Sequence, residues 1–331
     1  MPKVSIVLPN YNYARYLDER IQSLLNQTYK DFELIILDDG STDNSLEVIQ
    51  KYTDDPRIIT KFYTENSGLP YKRWNDGADL AQGEYLLIAG ADDSCEATLL
   101  EKLVEKLDSY PLVGLAFSQS LEVDNNGDPI GSMIKMTDAF FEDKQRWRND
   151  FIDQGRNELK NLLIVNTIPN ASCVLMRRAT FIKVGKFDEN LRLAADWVLW
   201  SKMLMISDIA FTSQHLNYFR THQQTVRSQL KAEIGMKEIC LAIELINQHL
   251  NDCSQQMEYP EQGDLANHLW YQRAQYYLNR TWNVKESISI SRLILGYSFY
   301  TGQERMYFLT RFWLKNVSFL VRSQSWNEAG G

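Results

Sequence analysis

Three polar clusters, each directly after a short apolar run, stand in the first hundred residues. They are Pro9-Asn10-Tyr11-Asn12, Asp38-Asp39-Gly40-Ser41-Thr42-Asp43 and Ala91-Asp92-Asp93. Crowded carboxylates cost free energy unless something pairs with them. A divalent cation would supply that pairing, together with a base or ribose carrying donor groups. Hard carboxylate oxygens are the ligands Mg2+ and Mn2+ prefer. Farther along, Asp196 opens the apolar run Asp196-Trp197-Val198-Leu199-Trp200. That places one carboxylate at a helix start in a cleft, with a helix N-cap as the alternative. The turn after the first apolar run lacks G-x-G-x-x-G, and the chain contains no G-x4-G-K-[ST] loop. A dinucleotide oxidoreductase and a P-loop nucleotidase are disfavoured, so a nucleotide would be held by side chains and a metal.

The elements that must position these residues alternate in type. Strands are expected over Val4–Leu8, Glu33–Leu37, Ile58–Tyr63, Tyr85–Ala89 and Val113–Phe117. Between them lie helical patterns at Tyr16–Gln27 and Ser45–Tyr52, another ending near Ala81, and one at Glu96–Leu107. Such alternation predicts a doubly wound, mostly parallel α/β sheet with helices on both faces. Ligands of such sheets bind outside the carboxyl ends of the strands, where the three clusters fall. Gly127–Arg156 mixes charge, aromatics and glycine and is expected to form a long excursion over the site. Order returns at Cys173–Met176, Phe181–Val184 and Trp197–Met205. From about Gln229 the pattern is helical, with amphipathic stretches at Ile239–Leu250, Leu265–Leu278 and Ser289–Tyr297. The expected division is a catalytic domain over 1–228 and a helical extension over 229–331. The first is split into a nucleotide half (about 1–120) and an acceptor half (about 121–228).

The 331 residues are 44% hydrophobic and 24% charged, an ordinary globular balance, with a net charge of −8. An acidic chain is a poor candidate for wrapping nucleic acid. Cys95, Cys173, Cys240 and Cys253 are too scattered for a zinc site and are expected to be isolated thiols. The opening Met1-Pro2-Lys3 runs straight into a strand pattern, and no stretch is long and apolar enough to cross a bilayer. The expected location is cytoplasmic.

Taken in order, these pieces resemble the glycosyltransferases of family 2, which have the GT-A fold and invert the anomeric configuration. The resemblance rests on Val4–Asn12, Leu24–Tyr29, Asp31–Asp43, Asn66-Ser67-Gly68, Asn75-Asp76-Gly77 and Gly83-Glu84-Tyr85. It continues through Ala91-Asp92-Asp93, Gly185-Lys186-Phe187-Asp188-Glu189 and Ala195-Asp196-Trp197, and covers residues 1 to about 225. It implies that Tyr11 stacks on a nucleobase and that Asp39 accepts from uracil N3. Pro9, Asn12, Gly68 and Arg73 fall in the nucleotide-binding segments, Pro9 fixing the strand exit. Asp92 and Asp93 resemble the element that binds ribose and Mg2+ or Mn2+, with Asp93 on the metal and Asp92 on ribose or metal. The family often has a further acid where this chain has Gly90, and Glu where it has Ala195. Asp196 resembles the catalytic base. Tyr218-Phe219-Arg220-Thr221-His222 resembles an element from which His222 completes the metal shell or Arg220 grips phosphate bidentately. Lys72, like Arg73, lies where relatives face the diphosphate, and solvated surface is the other reading. His215, His249 and His268 have no partner pattern and read as structural.

The implied reaction moves a sugar from a nucleoside diphosphate donor, with UDP as the family-level expectation, to a hydroxyl of a glycan or lipid-linked acceptor in bacterial surface polysaccharide synthesis. A noncatalytic nucleotide-sugar or glycan-binding module and a nucleotidyltransferase are the competing classes. Met306–Arg322 sets Phe308, Phe312 and Trp313 opposite Arg311, Lys315 and Arg322. This is the pattern of a helix lying on the inner membrane face. The alternative is a helix packed on protein, either the catalytic domain or a second copy in a homodimer.

Overall fold

The computed structural model describes residues 1–222 and 232–254. In chain order the elements are β1 (Val4–Asn10), α1 (Ala14–Leu25), β2 (Phe32–Asp38), α2 (Ser45–Gln50), β3 (Ile58–Phe62), α3 (Pro70–Leu80), β4 (Tyr85–Ile88), β5 (Ser94–Cys95), α4 (Leu99–Ser109) and β6 (Val113–Val123). Then follow β7 (Pro129–Ser132), α5 (Ile134–Phe140), β8 (Phe151–Asp153), α6 (Gly155–Ile164), β9 (Val174–Arg177), α7 (Arg178–Lys183), α8 (Ala195–Leu204), β10 (Asp208–Arg220) and α9 (Ala232–Ser254). Met1–Leu230 with Leu241–Asp252 form one compact unit, to which the site belongs.

The central strands are apolar without alternation because both faces are covered. Val4–Leu8 and Phe32–Asp38 are buried throughout. One mixed sheet runs in the order β3-β2-β1-β4-β9-β6-β10-β5, with β7 added on β6 and β8 on β10. β3, β2, β1 and β4 are mutually parallel, and β6 is parallel to β10. β9 runs against both β4 and β6. Helices cover the sheet through apolar stripes, such as Leu99, Leu100, Leu103, Val104 and Leu107 of α4. Gly77 lets α3 lie against β1, since a Cβ there would fall 2.3 Å from the Val7 side chain. The sheet matches the mostly parallel, helix-covered expectation.

Three differences from the sequence reading matter to the site. First, β9 is reversed: the chain reaches it through Ala171–Cys173 at the carboxyl edge of the parallel strands and must run away from that edge. Second, the expected excursion over Gly127–Arg156 contains β7 and β8, which pair into the sheet. Third, β10 and α6 appear where no element was expected. β10 is hard to read because its register to β6 breaks between Thr212 and His215 and again between His215 and Asn217. Apolar and polar residues therefore do not alternate along it. Cys95, Cys173 and Cys240 are buried and form no disulfide among the described residues. Among the described residues no helix is long and apolar enough to cross a membrane. Met306–Arg322, with the expected helices at Leu265–Leu278 and Ser289–Tyr297, lies outside the described residues.

Candidate active site

β1 and β2 end in register, Asn10 opposite Asp38, so the first two clusters meet. Asn10 Nδ2 donates to Asp38 Oδ2 at 2.7 Å, and Ser41 gives Asp38 its N–H (2.9 Å) and its hydroxyl (2.7 Å). Asn12 sits in the left-handed region with φ 59°. Its Oδ1 accepts from Thr42 N at 2.7 Å and Asp43 N at 3.3 Å. Asp43 accepts from Ala14 N and from the N–H and hydroxyl of Ser45. Burial works to raise the Asp43 pKa, but these hydrogen bonds outweigh it and hold the carboxyl below its usual range. Asp43 thus ties the first turn to the second. The N-cap of α2 is Asn44, whose side chain makes no cap bond. Pro9 lies within β1 opposite Leu37, and Tyr11 projects with 41% of its surface exposed.

Asp39 is buried. It accepts Ser67 N at 3.1 Å on both oxygens, Ser67 Oγ at 2.7 Å on Oδ2, and Arg73 Nε on Oδ1. The Arg73 guanidinium lies 3.4 Å over the Tyr63 ring and also reaches Asp76 at 2.7 Å. Arg73 is therefore the counter-ion of Asp39. Lys72, one residue earlier on α3, is half-buried and 3.5 Å from Asp76. Gly68 has φ 67° and accepts from Arg192 through its carbonyl.

The fourth strand delivers the second acid pair, and its two members face opposite ways. Asp93 is 3% exposed; its Oδ2 accepts the Ser172 hydroxyl at 2.6 Å and its Oδ1 the Arg220 N–H at 3.0 Å. Burial first, and the neighbouring Asp92 charge second, push its carboxyl well above the usual range; the Arg20 charge opposes them. Asp92 faces outward, its Oδ2 hydrogen-bonded to His222 Nε2 at 3.0 Å. The His222 ring sits between Tyr13 and Tyr16, with centroids at 5.8 and 5.5 Å. Burial, then the charges of Asp92 and Asp93, raise the Tyr13 pKa, so its phenol stays neutral.

Arg220 departs from the expected phosphate grip. It is 1% exposed, and its guanidinium donates to the Asp92 carbonyl (2.7 Å), the Asp124 carbonyl (3.0 Å) and Glu19 (2.8 Å). A cation so enclosed holds the turn and presents no face to a ligand. Asp93, likewise expected on the metal, has both oxygens engaged by protein donors. The pair suited to a cation is Asp92 with His222, a carboxylate oxygen and an imidazole nitrogen whose shared proton a cation can replace. Among the described residues no group of three or more His, Cys, Asp or Glu forms a cage. The site therefore suits an ion that takes few protein ligands and completes its shell with substrate phosphate and water.

Asp196 is the second residue of α8, whose N-cap position is Ala194, so the N-cap alternative does not hold. Its Oδ1 accepts the Trp197 N–H at 2.7 Å, and negative charge is favoured at a helix amino end. Trp197, Leu199 and Trp200 are buried, which makes α8 a rigid mount. The loop before it is held by Asn75, which donates to Phe187 O and Glu189 and accepts Phe187 N, and by Arg192 on Gly68. Helix α3, which carries Arg73, thus also fixes the segment that carries Asp196. Asn75 and Ser172 were not singled out for these roles. Asn75 lies in a quoted motif, whereas nothing local marks Ser172.

The family model described as glycosyl transferase family 2 matches residues 5–185. An uncharacterized glycosyltransferase of Nostoc sp. is 32% identical over 343 aligned residues, covering 99% of each chain. Among solved structures, S. aureus TarS in complex with UDP-GlcNAc superposes with a TM-score of 0.64 at 18% identity, over 88% of this chain and 80% of that one. The mannosyltransferase PcManGT from Pyrobaculum calidifontis, in complex with GDP-Man and Mn2+, superposes with a TM-score of 0.55 at 14% identity, over 96% and 87%. With a family match across more than half its length and a relative spanning all of it, the chain belongs to glycosyltransferase family 2 and is a glycosyltransferase of the GT-A fold.

Proposed function

We propose that this enzyme transfers a sugar from a nucleoside diphosphate donor, UDP-linked, to an acceptor hydroxyl with inversion, in the building of a bacterial surface polysaccharide or glycan. The observation that carries the reading is the convergence of three strand ends at one sheet edge, where the β1 turn exposes Tyr11, the β2 turn holds Asp39 and the β4 turn sets half-buried Asp92 beside His222. TarS, of the same fold, binds UDP-GlcNAc. The base stacks on Tyr11 and is met at Asp39, which Arg73 pairs. Pro9, Asn12 and Gly68 shape this half of the site. Asp92 and His222 would hold Mn2+ or Mg2+, and Mn2+ accompanies GDP-Man in PcManGT; bound there, the ion would offset charge on the departing diphosphate. Lys72 stands at the diphosphate side. Asp196 takes the proton of the acceptor hydroxyl, whose oxygen attacks the anomeric carbon as its bond to the diphosphate breaks on the opposite face. No covalent enzyme intermediate is needed. Met306–Arg322, within the expected extension over 229–331, is the segment for contact with a membrane, which would suit a lipid-linked acceptor, or with protein, the catalytic domain or a second copy. A noncatalytic donor-binding module is the competing reading.

Labelled nucleotide-sugars screened with and without Mn2+, reading free nucleoside diphosphate, decide between them. Turnover that EDTA abolishes is expected, with Asp196→Asn lowering kcat by about 10²–10⁴ at nearly unchanged donor affinity. Donor binding without turnover points to the binding module, and wild-type turnover by Asp196→Asn removes that residue from the chemistry.

A further inference from the structure

Helix α3 reaches both halves of the site. From one side of it Arg73 pairs Asp39. Asn75, two residues on, leaves the helix about 200° away around its axis and holds the loop between α7 and α8. Its amide meets the backbone of Phe187 twice: Nδ2 donates to Phe187 O at 2.9 Å, and Oδ1 accepts Phe187 N at 3.2 Å. Nδ2 also donates to Glu189 at 2.9 Å. Asn75 is buried, so a lost bond here leaves its partner unsatisfied away from water.

Phe187, so held, is buried among rings from three helices. Tyr71 and Trp74 of α3 lie at 5.7 and 5.0 Å, Phe181 of α7 at 5.6 Å and Trp200 of α8 at 6.3 Å between centroids. The chain arrives through Gly185 and Lys186, both left-handed, with φ 93° and 64°. For a lysine that conformation carries strain and persists only where the surroundings impose it. Helix α3 imposes it from both sides of the peptide, since Asp79 pairs the Lys186 ammonium and Asn75 fixes the next residue. Trp200 stands four residues after Asp196, on the same face of α8. Direct contacts thus run from the Asp39–Arg73 pair along α3 to Asn75, Phe187 and Trp200, and so to the helix that carries Asp196.

We propose that Asn75 is a positioning residue for the transfer step: by clamping Phe187 it sets α8, and with it Asp196, relative to a donor whose base is met at Asp39. This rests on the reading of Asp196 as the base. It adds to that reading a buried amide that acts only through protein contacts.

The test is steady-state release of nucleoside diphosphate from the donor selected by the screen above, paired with calorimetric titration of that diphosphate in Mn2+ and a melt of each variant. Rates are taken well below every melting temperature. Asn75→Ala is expected to lower kcat by about 10-fold or more with diphosphate affinity close to wild type. Ser5→Ala controls for lost stability. Ser5 is as enclosed, donating to Glu33 at 2.5 Å and accepting Gly83 N at 2.7 Å, but it lies at the amino end of β1, away from the site. Its loss should lower the melt and leave kcat unchanged. In the Asp196→Asn background Asn75→Ala should have little further effect on kcat, because the group it positions is gone. Wild-type kcat in Asn75→Ala, an equal kcat loss in Ser5→Ala, or an undiminished further loss in the Asp196→Asn background overturns the proposal. If Asn75→Ala does not fold, Phe187→Leu, which keeps the backbone bonds and removes the ring that meets Trp200, is read in the same way. Wild-type turnover by Asp196→Asn, or no turnover of any nucleotide-sugar by the parent enzyme, defeats the reading of the base and this inference together. An impaired Asp196→Asn beside a fully active Asn75→Ala defeats this inference alone.

Discussion

At the end of β2 the protein itself meets every carboxylate oxygen: Asp38 is engaged by Asn10 and Ser41, and Asp39 by Ser67 and Arg73. At the end of β4 the same residue type is split. Asp93 is enclosed by Ser172 and Arg220, while Asp92 keeps 20% of its side chain exposed and meets His222. Two adjacent aspartates in sequence thus do different work according to which way the strand end turns. A carboxylate with its donors built in stabilises the fold, since removing it orphans those donors. A carboxylate held at the surface beside an imidazole is available to a cation or a ribose. The contrast gives Asp38 structural weight and leaves Asp92 the better placed of the β4 pair to meet a ligand.

Exchanging stability for activity between the turns tests that contrast most severely. Asp92→Ala is expected to lower kcat/KM by about 10²-fold or more while leaving the metal-free melting temperature nearly unchanged. Asp38→Ala strands the Ser41 N–H and hydroxyl and one Asn10 donor. At roughly 1–3 kcal/mol for each buried unsatisfied group, the melting temperature should fall by about 10 °C. Steady-state turnover and melts on both variants suffice. If Asp92→Ala proves the less stable of the two, or Asp38→Ala the less active while still folded, the contrast is reversed.

The strand ends at the site were legible because β1, β2 and β4 are buried on both faces and read as mostly apolar runs ending in polar residues. Which member of Asp92-Asp93 turns inward was not, because it depends on Ser172 and the backbone of Arg220, respectively 79 and 127 residues away. Arg220 resembled a phosphate ligand through the family element in which it stands; its enclosure follows from Glu19 and Asp124, on segments with no motif. β10 escaped because its register breaks remove the period that marks a strand.

A smaller effect separates two glycines of the first turn region. Gly40 and Gly68 both have positive φ, at 72° and 67°. A Cβ on Gly40 would lie 2.8 Å from the Glu65 carbonyl carbon, whereas one on Gly68 meets nothing within 4 Å. Gly68→Ala should cost only the left-handed strain, about 1 kcal/mol. Gly40→Ala adds a backbone collision and should cost about 2–3 kcal/mol, shifting the segment at Glu65–Ser67 that presents donors to Asp39. Chemical denaturation reads both. Equal losses indicate that the β2 turn can move away from Glu65 and is less rigid than its hydrogen bonds imply.

The smallest effect concerns the acid that family members often carry at position 90. Restoring it by Gly90→Asp looks as though it should strengthen metal binding, and the β4 turn argues otherwise. A Cβ at Gly90 would stand 3.1 Å from Asp93 Oδ2 and from Ser172 Oγ, and 3.3 Å from Asp92 Oδ1. Those atoms must yield by a few tenths of an ångström. The hydroxyl that would move also accepts the Gly90 N–H, at 2.9 Å, and donates to Asp93. The added charge enters beside two carboxylates, one already enclosed, and like charges at that range oppose one another. Gly90→Ala should therefore cost about 1 kcal/mol through crowding alone, and Gly90→Asp somewhat more, with no tightening of Mn2+ binding. Measuring Mn2+ and UDP affinity beside stability for both variants separates shape from charge. Tighter Mn2+ binding by Gly90→Asp at unchanged stability shows that the turn has room for a third acid and that Asp93 is free to swing outward.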